Sequence, residues 1–292
     1  MRRKPEWLRV KLGAGSEFAR IRRIVGDGRL HTVCQEAMCP NMGECWNQGR
    51  ATLMILGQVC SRSCRFCNVA SAIPGECDKD EPRRVAEAVS MMGLKEVVVT
   101  SVTRDDLPYG GAGIWAQTMR SIRELNPGIQ LEVLVPDFNA DRRAFDLVAA
   151  ERPEIFGHNL ETVRRMYDAV RPHADYDQSL RVLEWSSDVG MITKTGIMVG
   201  VGETDEEVFE LMDDARSAGC RILYVGQYLQ PTKKHWPVAR YVEPAIFEKY
   251  RRRGIDKGFD VVVSGPLVRS SYHSEEQTRF VRSHVSSPVE MV

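Results

Sequence analysis

Six of the eight cysteines fall into two tight sets. Cys60, Cys64 and Cys67 stand in CSRSCRFC, a C-x3-C-x2-C spacing, and Cys34, Cys39 and Cys45 stand in CQEAMCPNMGEC, a C-x4-C-x5-C spacing. Thiolates are soft ligands that suit iron–sulfur clusters, zinc and copper(I). Each set offers three ligands, one short of the four that usually close a structural zinc site. Two-cluster ferredoxins use C-x2-C-x2-C with a fourth cysteine before proline, and no C-x2-C pair here has a partner pair or an H-x3-H. Three cysteines over eight positions fit one loop wrapped around a cubane, with the fourth iron left open to a bidentate ligand. A disulfide framework fits poorly, because the chain is not small and the sets are too close-set to staple loops across a fold. Thiols kept for a cluster imply a reducing, cytoplasmic compartment.

The elements that must position these cysteines alternate in type. Apolar, β-rich runs occur at 51–57, 97–102, 131–136, 155–160, 195–200, 222–228 and 260–265. Helix-like stretches lie between them at 82–92, 114–125, 140–150, 161–170, 178–189, 205–218 and 244–257. The helix at 205–218 is the best marked. Thr204 and Glu207 form a T-x-x-E capping box, Val208, Leu211, Met212 and Ala215 make one apolar face, and Gly219 follows as a C-cap. Buried strands alternating with amphipathic helices predict a parallel α/β sheet. The fold class expected is α/β, a partial (β/α)6 TIM-type barrel. Residues 1–50 read as an irregular, cysteine-bearing N-terminal extension, 51–265 as the barrel, and 266–292 as a C-terminal segment that frays from 274. In such barrels the loops after the strands carry the chemistry, and the Cys60 set follows the first strand directly.

The 292 residues are 43% hydrophobic and 27% charged, with formal net charge zero. That balance points to neither nucleic acid nor a membrane, and no apolar run approaches a membrane span. Charge is uneven at the N-terminus, where Arg2, Arg3, Lys4, Arg9, Lys11, Arg20, Arg22, Arg23 and Arg29 outnumber Glu6, Glu17 and Asp27. This arm reads as a solvated segment or a docking arm for an acidic partner.

C-x3-C-x2-C with an aromatic, Phe66, before the last cysteine resembles the radical S-adenosylmethionine enzymes. The resemblance implies that Cys60, Cys64 and Cys67 hold a [4Fe–4S] cluster. Its open iron chelates S-adenosylmethionine, whose cleavage yields a 5′-deoxyadenosyl radical able to take hydrogen from unactivated carbon. The second set narrows the match. CQEAMCPNMGECW, SVTRDDLPYGG (101–111), KTGIMVGVGET (194–204), GQYLQPTKKH (226–235) and GPLVRSSYH (265–273) together resemble the lipoyl synthase family over residues 5–273. Residues 70–79, Tyr109 and Ser274 depart from the family pattern.

That resemblance implies a second, auxiliary [4Fe–4S] cluster on Cys34, Cys39 and Cys45, with Ser271 of RSSY as fourth, labile ligand and Ser270 as the fallback. Without it, the two serines read as a polar turn. The implied reaction inserts two sulfur atoms, drawn from the auxiliary cluster, at C6 and C8 of a protein-bound octanoyl-lysine. Two S-adenosylmethionine molecules are used per lipoyl group. The partners implied are octanoylated lipoyl carrier proteins (2-oxoacid dehydrogenase E2 lipoyl domains and the glycine cleavage H protein), an electron donor such as ferredoxin or flavodoxin, and a cluster-repair protein. For the cofactor, the resemblance implicates Phe66, Thr100, Ser101, Asn159, Glu161, Arg171 and Met198. Some have a plainer use: Phe66 as core packing, Asn159 and Glu161 in helix capping, Arg171 in a surface ion pair. Gly200-Val201-Gly202-Glu203 lacks the third glycine of a dinucleotide loop and reads as the turn closing a strand. Cys77 and Cys220 match no motif, and the histidines are not spaced as a metal set.

Overall fold

The computed structural model describes residues 4–10, 13, 15–272, 277, 280 and 283. Arg2, Arg3 and Lys11 of the basic arm, and His273 and Ser274, lie outside them. The N-terminal region is not irregular, contrary to expectation. It holds helix α1 (Ser16–Asp27), strand β1 (His31–Thr32), the single turn α2 (Val33–Glu36) and α3 (Met42–Asn47). Ile21, Ile24 and Val25 of α1 are buried, at the i, i+3 and i+4 positions of one helix face. Strand β2 (Thr52–Ile55) follows, then a small parallel ladder of β3 (Val59–Cys60) and β4 (Ala70–Ser71).

Beyond it, strands and helices alternate: α4 (Glu81–Met92), β5 (Glu96–Ser101), α5 (Ala112–Leu125), β6 (Gln130–Leu134), α6 (Arg142–Ala149), β7 (Ile155–Gly157), α7 (Tyr167–Val170), α8 (Tyr176–Asp188), β8 (Ile192–Val199), α9 (Asp205–Ser217), β9 (Ile222–Gln227), α10 (Pro244–Asp256) and β10 (Val261–Gly265). One sheet runs β1-β2-β5-β6-β7-β8-β9-β10, antiparallel only between β1 and β2. The seven parallel strands are one more than six, because β10 extends β9 in register from Val261–Ile222 to Gly265–Gly226. β1 and β10 are the two edges, so this is an open barrel. The capping box at Thr204 and Glu207 forms, and Val208, Leu211, Met212 and Ala215 are buried. The helix expected at 161–170 shrinks to a 3-10 turn at Arg164–Met166 and the four-residue α7. Its start is taken by the sheet: Glu161 N–H donates to Gly196 O, and Met198 N–H to Glu161 O.

The concave face holds its own core. Phe156 packs edge-on against Phe145 of α6, so Ile155 and Gly157 point the other way. Ile155, Ile192, Ile222, Tyr224, Val261 and Val268 cluster there with Phe280 packed against them. Beside them Lys194 Nζ donates to Glu132 Oε1 at 2.6 Å and to Gln277 Oε1 at 2.7 Å, all three being buried. Most of 274–292, where fraying was expected, falls outside the described residues, but Gln277 is buried and Phe280 packs, partly buried, against the concave-face cluster.

Three glycines on this face make a seat. A Cβ on Gly226 would stand 2.2 Å from Val268 O, one on Gly265 3.3 Å from Val268 Cγ2, and one on Gly196 3.1 Å from Ser270 Oγ. Segment 268–270 therefore lies close across β8, β9 and β10, and at Gly226 no side chain fits beneath it.

Candidate functional site

The loop after β2 carries Cys60, Cys64 and Cys67, all free thiols and half-buried. It runs over the C-terminal ends of the parallel strands, and the neighbouring loops fasten it by backbone bonds. Ser61 N–H donates to Thr103 O at 2.9 Å, Arg65 N–H to Val170 O at 2.9 Å, and Trp236 N–H to Arg65 O at 2.8 Å. His235 Nε2 lies 3.1 Å from Cys67 O. Arg62, between the first two cysteines, is the hub. It donates to both oxygens of Asp105 (2.7 and 2.9 Å), both of Asp137 (2.6 and 2.7 Å) and Oδ1 of Asn139 (2.7 Å). Burial would raise the Asp137 pKa, but the hydrogen bonds and charge of Arg62 hold it at about 2. Burial opposes the Arg62 charge, and the two carboxylates override it. Sequence reasoning missed this hub; an arginine between the first two cysteines of the run was its only signal.

Burial raises the Cys64 thiol, opposed by the charge of Arg171, and pushes Cys67 up to about 12, with Cys64, Cys60 and Glu161 adding repulsion. The mutual repulsion marks the three thiols as neighbours. Metal binding reverses such shifts, because ligating thiols are deprotonated.

The second set forms a pocket. Cys34, Cys39 and Cys45 line it together with Asn41, Arg50, Thr52, Arg269, Ser271 and Tyr272. Cys34 is buried in α2, where burial raises its thiol while the backbone at Thr52 and the Trp46 indole favour the thiolate. Cys45 is pushed up to about 12 by burial, Cys34, Cys39 and Glu44. Buried Asn41 donates to Leu267 O at 2.6 Å and so pins the C-terminal segment to this loop. Asn68, next to Cys67, donates to Glu36 O at 2.8 Å and ties the two cysteine loops together.

The two serines part ways. Ser271 Oγ accepts from Thr52 Oγ1 at 2.7 Å and faces the cysteine pocket. Ser270 Oγ accepts from Asn159 Nδ2 at 2.8 Å, over the end of β7. Arg269 also lines the pocket, where burial lowers its pKa against the favouring charges of Cys39 and Glu161. Among the described residues, no three His, Cys, Asp or Glu side chains close on one point as a single ion requires. In a four-iron cluster each cysteine binds a different iron, so its ligands stand farther apart.

The residues expected at the cofactor gather at the strand ends, with different duties. Asn159 Nδ2 bonds Ser270 and Glu161, leaving Oδ1 buried and without a partner. Ser101 Oγ is likewise buried and unpaired. Glu161 adopts a left-handed φ of 66°, an uncommon conformation for this residue type. Met198, half-buried on β8, takes the carbonyl of Glu161. Thr100 is committed to the sheet, donating to Leu134 O at 2.8 Å. Arg171 is buried rather than in a surface pair. Its Nη1 donates to Asn159 O, Leu160 O and Tyr167 OH, and its Nε has no partner. Phe66 packs, partly buried, against the core that includes Val163 and Leu223, with Trp236 beside that core. His158 Nδ1 lies 2.8 Å from Val135 O, and burial lowers its pKa to about 4. The Gly200–Gly202 turn offers no phosphate cradle, since the Glu203 carboxylate takes all three of its backbone N–H groups. Cys220 is fully buried in the core, and Cys77 accepts a hydrogen bond from Arg104.

Unpaired buried polar atoms on Ser101, Asn159 and Arg171 collect above the sheet next to an open three-cysteine loop. Such atoms are rare unless a ligand or water completes them. The model of the radical SAM superfamily matches residues 54–215, the span from β2 to α9. Methylornithine synthase shares the fold, with a TM-score of 0.53 at 12% identity over 94% of this chain and 90% of that one. This is a radical SAM protein, and membership implies a [4Fe–4S] cluster and S-adenosylmethionine. The chain belongs, more narrowly, to the lipoyl synthase family. It is 52% identical to lipoyl synthase of Bacteroides fragilis over 95% of this chain and 96% of that protein. It is also 52% identical to that of Chlorobaculum tepidum over 94% and 95%. Among the described residues, no helix is long and apolar enough to cross a membrane.

Proposed function

We propose that this protein carries out its family's reaction, insertion of sulfur at C6 and C8 of an octanoyl-lysine on a lipoyl carrier protein. Cys60, Cys64 and Cys67 would hold the radical cluster, and Cys34, Cys39, Cys45 and Ser271 the auxiliary one. When bound, the cofactor and first cluster supply hydrogen abstraction from carbon, and the second supplies sulfur. The observation that carries this reading is the shared pocket of the three N-terminal cysteines and Ser271, which lies 219 residues beyond Thr52 in sequence. Three thiols with one hydroxyl suit an iron–sulfur cluster with a replaceable corner, since the hard oxygen is the ligand most easily protonated.

The chain's own residues supply placement. Arg62 and its carboxylates hold the radical loop. Asn159, Ser101, Glu161 and Met198 line the place for the cofactor, with Phe66 as a wall, while Arg171 and Thr100 brace that place from behind. Arg269, on the wall of the auxiliary pocket, adds a positive charge beside an anionic cluster. Lipoyl domains and the H protein, a ferredoxin- or flavodoxin-type donor and a cluster-repair protein complete the proposed cycle, in the cytoplasm.

Iron and sulfide analysis after anaerobic reconstitution tests the reading, with about eight irons expected. Incubation with an octanoyl-lysine peptide, S-adenosylmethionine and reductant should then yield a peptide two sulfurs heavier. About four irons in the parent chain, unchanged by loss of Cys34, Cys39 and Cys45, would sink the two-cluster reading.

A further inference from the structure

Thr52, the first residue of β2, touches the proposed fourth ligand of the auxiliary cluster. Its hydroxyl donates to Ser271 Oγ at 2.7 Å. The side chain is 5% exposed, so water does not readily replace that bond. A serine oxygen that binds iron does so without its proton, and an alkoxide can only accept. Thr52 is then the group poised to donate to it.

We infer that Thr52 is a positioning residue for the labile ligand. Its hydroxyl holds Ser271 against the auxiliary cluster, which slows the loss of that corner. The inference rests on Ser271 as fourth ligand and deepens that reading. The placement has a structural logic. Asn41 fastens Leu267, the glycine seat carries 268–270, and Thr52 takes the next residue. The same short strand leads to Cys60, so one element sets both sites. Outer-shell partners of metal ligands commonly change metal affinity by about 10–100-fold.

The test uses the full chain with Cys60, Cys64 and Cys67 replaced by alanine, so that only auxiliary iron is counted. After reconstitution, iron release to EDTA is timed, and Mössbauer spectra report the one iron with an oxygen ligand. Thr52→Val, which keeps the shape and removes the hydroxyl, should release iron about tenfold faster and shift that spectrum. Thr52→Ser should stay within about twofold of the parent, on the same reasoning that the donor is kept. Release from Thr52→Val at the parent rate, with Ser271→Ala faster, would overturn the role of Thr52 and leave Ser271 as ligand. Ser271→Ala at the parent rate would instead remove the fourth-ligand reading and the inference with it. If Thr52→Val takes up no iron, Thr52→Ser decides. Full uptake and slow release support the hydroxyl; equal failure shows that only the shape of the strand matters and overturns it.

Discussion

The two cysteine sites are built in opposite ways. The radical loop is clamped by the barrel itself: one buried arginine gathers Asp105, Asp137 and Asn139 from two strand ends, and backbone bonds join it to Thr103, Val170 and Trp236. The auxiliary pocket takes only its floor from the barrel, Thr52 of β2 with Glu96 and Val98 of β5. Short helices α2 and α3 bring the cysteines, and the segment after β10 brings Arg269, Ser271 and Tyr272. One site has a charged frame built into the barrel. The other, in the proposed reading, is closed by the Ser271 hydroxyl.

The sharpest way to break this comparison is to remove one ligand from each site. Cys64→Ala should abolish 5′-deoxyadenosine formation and leave about four auxiliary irons. Cys39→Ala should do the reverse, keeping cofactor cleavage and ending sulfur insertion. If both variants lose both activities, the sites are not separable. Next, the serines should differ. Ser271→Ala should cut lipoyl product about a hundredfold, and Ser270→Ala, which loosens only Asn159, about tenfold. Equal losses, measured by peptide mass, would deny the divergence seen at 270 and 271.

Gly226→Ala tests the seat. Its methyl would stand 2.2 Å from Val268 O, so the segment must move. Overpacking of this kind costs about 1–3 kcal/mol, and auxiliary iron should fall while radical-cluster iron stays. Iron retained in full would show that the seat is not needed.

Asp137→Asn probes the clamp. Removing one partner of a buried pair costs about 3–5 kcal/mol, which urea unfolding would read. Asp137 is held at about 2, below its ordinary 3.8. Its contribution is therefore whole above about pH 4 and is lost as pH falls through about 2, because the unfolded chain takes up the proton first. The variant should lose less stability than the parent across that window. The smallest effect belongs to neither site. Thr204→Ala, which breaks the α9 capping box, should cost about 1 kcal/mol and leave both iron contents unchanged.

Much of this was legible in the sequence. The alternating runs located seven parallel strands, and the Thr204 box located a helix start. Other features were hidden. α1 escaped because its apolar face is narrow and its arginines dominated the reading. The stretch 161–170 has helical spacing, but pairing of Glu161 with β8 drew its start into the sheet. Arg171 reads as a surface residue by type, and only the fold buries it against Asn159 and Leu160.

By itself the chain determined the two sets of thiols and the alternation that puts one of them above a barrel. Those signals are local: three ligands within eight or twelve residues need only a loop, and a strand or helix needs only its own period. The tertiary structure decided which serine joins the cysteines, which carboxylates hold Arg62, and that Thr52 meets Ser271. Those contacts close loops of up to two hundred residues and more, and their geometry comes from sheet register and the bare concave face at Gly196, Gly226 and Gly265, which no local spacing encodes.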